Sequence, residues 1–269
     1  MDLFTYLMAK KGHNTHRDLF SYLLGSGNKL PSEYQRLEYI ESTGTQYINT
    51  GRIPSNNEDV KIKCFINPLG SHPVYGAYNK TTQSRRHIWS DSSKMDLGWG
   101  VTALCSLDVN YSNILNISAH FQAGNQKLTV NGSSNSSNSN ANTNPNLTAY
   151  LFARHNSNGT ERGILMRLYS CKIYDNGVLV RNFIPCMRKS DNEVGLYDTV
   201  GEQFYTNAGT GTFVTPTSQL SSTQSLNTSL LSNNIQEETN LDDINEIEDI
   251  DEPIENEEIE EPIEEYQEL

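Results

Sequence analysis

Cys171-Lys172-Ile173-Tyr174-Asp175-Asn176-Gly177-Val178-Leu179-Val180-Arg181-Asn182-Phe183 decides the fold class. Asn176-Gly177 accepts the positive φ angles of a tight type I′ turn, whose twist matches that of paired strands. Apolar and β-branched residues flank it on both sides, so the stretch predicts a hairpin over 172–183. Outward from it the same period-two pattern recurs. Val60, Ile62, Cys64 and Ile66 alternate with Lys61, Lys63 and Phe65, and strands are expected over 85–90, 112–119, 127–131 and 147–153. Many short strands, frequent Gly/Asn turns and no long helical pattern from 30 to 213 predict an all-β sandwich or jelly roll.

The flanks read differently. Asp2-Leu3-Phe4-Thr5-Tyr6-Leu7-Met8 recurs as Asp18-Leu19-Phe20-Ser21-Tyr22-Leu23-Leu24. Each copy opens on a capping Asp, stops before Gly12 or Gly25, and gathers its apolar residues on one helical face. Two short helices are expected, docked on their own β domain or on a partner subunit, because helices this short are marginal alone; a disordered leader is the remaining alternative. At the other end, 237–269 holds 17 Asp and Glu and no Lys or Arg, while the rest of the chain has 16 acidic and 20 basic residues. The net charge of −13 is thus a tail of −17 on a body of about +4. Like-charge repulsion, with Pro253 and Pro262, predicts an expanded, disordered tail; folding onto a basic, partly apolar partner is the alternative. The expected organisation is a helical leader at 1–29, a sandwich at 30–215, a polar linker at 216–236 and the acidic tail at 237–269. The Ser/Asn-rich segment 132–146 is expected to be a long hairpin tip.

Several function classes are set aside. No apolar run approaches the roughly 18 residues that span a bilayer, and the lysines of 1–11 follow the apolar stretch, the reverse of a secretory signal. Cys64, Cys105, Cys171 and Cys186 are widely spaced without a C-x-x-C pair, so free buried thiols are expected. The spread-out body charge gives no nucleic-acid footprint. None of the six histidines, His87 and His120 included, stands in a recognisable triad context, and Asp191, Glu193 and Asp198 lack the spacing of paired glycosidase carboxylates. The chain is therefore expected not to be an enzyme and to need no cofactor. What remains is binding. A sugar site combines an aromatic face with a few polar groups for hydroxyls. Val74-Tyr75-Gly76-Ala77-Tyr78, Arg85-Arg86-His87-Ile88-Trp89 and Leu97-Gly98-Trp99-Gly100 supply those types in mid-domain. Tyr78, Arg86, Trp89 and Trp99 are the expected glycan contacts. Packing of both tryptophans in the core, or recognition through Asn56, Asn79 or Asn156 on loops, are the competing readings.

Two blocks add a resemblance. Leu30-Pro31-Ser32-Glu33-Tyr34-Gln35-Arg36-Leu37-Glu38-Tyr39-Ile40-Glu41-Ser42-Thr43-Gly44-Thr45-Gln46-Tyr47-Ile48-Asn49-Thr50-Gly51 is the first. The second is 172–186 with Gly195-Leu196-Tyr197-Asp198 and 204–213. Together they resemble the concanavalin A-like lectin/glucanase (LamG-like) domains of phage, prophage and surface proteins of gut bacteria. The resemblance implies a jelly-roll sandwich of two antiparallel sheets with the first and last strands adjacent. Tyr39, Tyr47, Tyr197 and Tyr205 would then share one neighbourhood. Some such domains hold Ca²⁺ through Asp and loop carbonyls, for which Asp91, Asp96 and Asp108 are candidate donors, although no calcium motif is present. The leader 2–12 is similar to the N-termini of phage structural proteins. That implies a virion-associated decoration protein, assembled in the bacterial cytoplasm, with a glycan ligand. The virion or sister subunits, as a homo-oligomer, would be its partners through the leader. A purely structural protein–protein scaffold, a bacterial surface adhesin and a glycoside hydrolase are the alternatives.

Overall fold

Alternation sets the architecture. In β4 (Asn57–Ile66), Glu58, Val60, Ile62, Cys64 and Ile66 are buried while the intervening side chains face outward. The neighbouring β9 (Leu115–Gln122) repeats this with Leu115, Ile117, Ala119 and Phe121, and β15 (Leu165–Asp175) with Met166, Leu168, Cys171 and Ile173. A register shift between Leu168 and Ser170 resets the parity, so both halves of β15 point apolar side chains the same way. Each such side chain, fully buried, contributes roughly 1.5–3 kcal/mol relative to exposure.

The computed structural model describes residues 29–67, 70–140, 144–161 and 163–216. The expected helices of the leader, nearly all of the linker and the acidic tail lie outside the described residues. Among the described residues, ten strands form one sheet and eight a second. The main path of the first runs β11 (Ser133–Ser137), β10 (Gln126–Val130), β9, β4, β15, β16 (Val178–Arg188), β17 (Val194–Asp198) and β18 (Gln203–Thr206). Beside this path β1 (Tyr34–Arg36) pairs with β16 and β2 (Ile40–Thr43) with β15.

The second sheet has eight strands: β14 (Gly159–Glu161), β13 (Arg154–Asn156), β5 (His72–Asn79), β6 (Ser84–Ser90), β7 (Lys94–Trp99) and β8 (Thr102–Asp108) along its path. The short β12 (Tyr150–Leu151) pairs with β5 and with β3 (Ile48–Asn49). Pairing is antiparallel except between β13 and β5, which run parallel. A single cluster of buried apolar side chains from both sheets forms the core. The protein is an all-β sandwich of two sheets.

The hairpin 172–183 forms as its sequence predicts. Asp175 pairs with Val178, and Asn176 and Gly177 take φ of 50° and 76°. The two ends of the domain also meet. Glu41 bridges Val214, the amides of Ala208 and Thr210 donate to the carbonyls of Tyr47 and Thr45, and Tyr34 packs on Tyr197 and Phe204. The tyrosine rings take different partners: Tyr39 meets Tyr169, Tyr47 stacks on Tyr150, Tyr197 packs on Tyr34, and Tyr205 packs edge-on to Phe183.

One expectation is corrected outright. The segment after Asn131 is not wholly a loop tip, because Ser133–Ser137 is an edge strand in register with β10, Val130 opposite Ser133. Asn131 and Gly132, at φ of 49° and 92°, make the two-residue turn. Backbone pairing needs no apolar side chain, so a Ser/Asn run can form a strand whose side chains stay mostly exposed. All four cysteines are free and buried.

Candidate binding site

Strand β6 presents two chemistries because its side chains alternate. Arg86 and Ile88 are fully buried between the sheets. Arg85, His87 and Trp89 take the opposite, outer face. There they line a cavity of about 270 Å³ with Asp96 of β7 and Arg154 of β13. That volume lies just under the roughly 300 Å³ at which small-molecule sites begin, which suits one ring-sized group.

Register explains how the lining assembles. His87 stands opposite Gly76 on β5 and Gly98 on β7, and Trp89 stands opposite Asp96. Neither glycine has a side chain to crowd the imidazole. A Cβ on Gly98 would lie 2.1 Å from His87 Nε2, and one on Gly76 would lie 2.2 Å from the Arg86 carbonyl oxygen. Arg154 then reaches the centre of the face: its Nη1 donates to His87 Nδ1 at 2.7 Å. Its guanidinium carbon sits 4.6 Å from the Tyr78 ring centroid and 4.7 Å from that of Trp89. Arg85 lies 5.3 Å over Tyr78. The Trp89 indole is tilted against His87 at 5.5 Å and donates its N–H to Ser71.

Burial, then the nearby charges of Arg154 and Arg85, hold His87 well below the ordinary imidazole range, so it is neutral. Since its Nδ1 accepts from Arg154, its proton resides on Nε2. Among the described residues, the cavity lining therefore carries two guanidinium charges and one carboxylate.

The expected group of Tyr78, Arg86, Trp89 and Trp99 does not hold together. Tyr78 and Trp89 share the outer face. Arg86 and Trp99 are buried between the sheets, the Arg86 guanidinium 3.2 Å above the Trp99 ring centroid, and Trp99 stacks on Phe121. Arg86 also donates to Asn56 Oδ1 and to the Arg85 carbonyl, and burial lowers its pKa to about 10, which leaves it charged at neutral pH. Nearby, the fully buried Glu58 accepts from the Tyr75 hydroxyl at 2.9 Å, and burial pushes its pKa up to about 7.

The asparagines proposed for loop recognition are engaged locally. Asn56 turns to Arg86, Asn79 caps the amides of Thr81 and Thr82, and Asn156 accepts from the Asn158 amide.

Arg85, His87, Asp96 and Arg154 are the lining residues that the sequence reading did not select. Parity with Trp89 would have pointed to Arg85 and His87. Arg154 arrives from a strand 65 positions beyond Trp89, through a pairing with no local signal.

A second cavity of about 390 Å³, bordered by Phe65, Val109, Tyr111 and neighbouring serines, is larger but has no charged side chain and no tryptophan among the described residues that line it. Among the described residues no group of three or more His, Cys, Asp or Glu is placed to hold a metal ion, and no helix is long and apolar enough to cross a membrane. Asp91 caps Ser92, Asp96 lines the first cavity, and Asp108 stands opposite Lys94 in the register of β7 and β8.

No protein-family model matches the chain, and no curated protein matches it. Among solved structures, it is similar to a Bacteroides ovatus protein provisionally described as carbohydrate binding. The identity is 11%, the TM-score is 0.47, and the match covers 67% of this chain and 60% of that one. The match thus spans less than two thirds of that protein's own length, and a likeness at this level carries no argument about ligand.

Proposed function

We propose that this chain is a non-enzymatic glycan-binding protein whose site is the outer-face cavity of the eight-stranded sheet. The observation that carries the reading is the grouping of a half-buried Trp89 with Arg85, Arg154 and Asp96 around a ring-sized cavity. An indole face stacks on the apolar side of a pyranose, and charged groups beside it hold hydroxyls. The reading as a binder rather than a hydrolase draws on the lining. Asp96 is the one carboxylate among the described residues there, whereas glycoside hydrolysis uses an opposed pair.

Binding of the full chain to a glycan array, repeated with Trp89→Ala, tests this. Array signal that falls at least about tenfold in the variant is expected, equivalent to about 1.4 kcal/mol. Signal that Trp89→Ala leaves untouched would move the site elsewhere, and hydrolysis of a polysaccharide panel would replace binding with catalysis.

The setting we propose is a phage virion, from the resemblance of 2–12 to phage structural proteins and of 30–213 to LamG-like domains. On that reading the leader attaches the sandwich to the particle or to sister subunits. Deletion of Met1–Gly25 is expected to abolish particle incorporation or oligomerisation, and a truncated protein that still assembles would remove the idea.

A further inference from the structure

We propose that the cavity selects an anionic sugar, its carboxylate or sulfate ester set against Arg85. This rests on the glycan-binding reading above and goes further by naming the ligand's charge. The first observation is the balance of the lining among the described residues: two guanidinium groups, one carboxylate and a neutral imidazole. In a cavity part-walled by protein, a net positive charge attracts an anion more strongly than the same charge in open water.

The second observation separates the two arginines. Arg154 is committed, with Nη1 on His87 and its guanidinium beside the rings of Tyr78 and Trp89. It sets the potential of the site without moving. Arg85 differs. Arg52, Arg167, Arg181 and Arg188 of this domain each pair with a carboxylate, namely Asp175, Glu41, Asp198 and Asp191. Among the described residues Arg85 forms no such pair, and its buried Nε has no hydrogen-bond acceptor. A planar guanidinium fork matches the paired oxygens of a carboxylate or sulfate. Asp96, across the strand pair from Trp89, repels that anion. It is therefore left to accept from the hydroxyls at the other end of the ring.

The test uses the full chain on matched glycan pairs. Glucuronate-, galacturonate- and sialic-acid-terminated glycans are compared with their carboxyl-reduced forms, and sulfated glycans with their desulfated forms. At least about a tenfold preference for the anionic member of one pair type is expected, and which pair type shows it identifies the anion. The preference should shrink as NaCl is raised from about 0.05 M to about 0.5 M. Arg85→Gln should bring the ratio close to one. Equal binding of both members of every pair, lost in Trp89→Ala, would overturn this inference and leave the glycan reading standing. A preference that Arg85→Gln does not alter would also overturn it. No binding to any member would remove both.

Discussion

Two arginine–tryptophan pairs lie on opposite sides of the eight-stranded sheet. Inside, Arg86 sits 3.2 Å over Trp99, sealed between the sheets near Glu58. Outside, Arg154 sits 4.7 Å from Trp89 at the edge of a cavity. The same two residue types fill a core in one place and line an open cavity in the other. What differs is the direction in which the strand aims them. A cation stacked on an indole is thus no sign of a binding site until its face is known.

The largest break in that comparison should come from truncating the two tryptophans. Trp99→Ala is expected to lower unfolding free energy by about 4 kcal/mol, as for other buried Trp truncations, measured by urea denaturation. Trp89→Ala should change it by about 1 kcal/mol or less while removing glycan binding. Equal destabilisation by both would erase the distinction between the faces.

Next is the buried carboxyl of the inner region. Glu58 titrates near 7 in the folded chain against an ordinary 4.5. The folded state therefore holds a proton that the unfolded chain releases. The stability this contributes is full below pH 4.5 and is lost as pH rises towards about 7, on the order of 3 kcal/mol in all. Glu58→Gln keeps an acceptor for the Tyr75 hydroxyl and should flatten that slope in denaturation curves taken across the window. An unchanged slope would mean that Glu58 is not its source.

A smaller effect is expected at the floor of the cavity. Gly98→Ala sets a methyl group against His87, which must move and release Arg154. A loss of about 1–3 kcal/mol is expected for such overpacking, together with weaker glycan binding. A variant that binds as before would show that the His87–Arg154 pair does not shape the site.

The mildest expectation concerns acid. His87 is held below its ordinary 6.5 when folded, so the unfolded chain takes up a proton that the folded chain refuses. The stability tied to neutral His87 is full above pH 6.5 and falls as pH drops below it. His87→Gln should lessen this acid sensitivity, as read by thermal melts from pH 7 to 5. It is the opposite pH trend to that of Glu58, which lies buried on the other sheet.

Much of the fold was legible locally. The Asn176-Gly177 turn and the alternation of β4 correspond to patterns that a reader can count along the chain, whereas the meeting of the two end blocks is implied by the resemblance and by no local count. Candidate chemistry was legible as composition, since Tyr78, Arg86, Trp89 and Trp99 all lie in strands of the eight-stranded sheet, the sheet that carries the cavity. The grouping failed because composition ignores parity: Arg86 and Trp89, three positions apart on a strand, must point to opposite faces. The edge strand 133–137 was hidden for a different reason, since its Ser/Asn side chains carry no apolar period to read.

By itself the sequence determined the strand periodicity, the tight turn at Asn176-Gly177 and the separation of a slightly basic body from an acidic end, because each is a property of neighbours along the chain. The tertiary structure alone decided which Arg meets which Trp and that Gly76 and Gly98 flank His87. It also decided that Arg154 enters from a parallel strand to complete the cavity. Those facts depend on the register between strands distant in sequence, which is fixed by the packing of both sheets together and by no single segment.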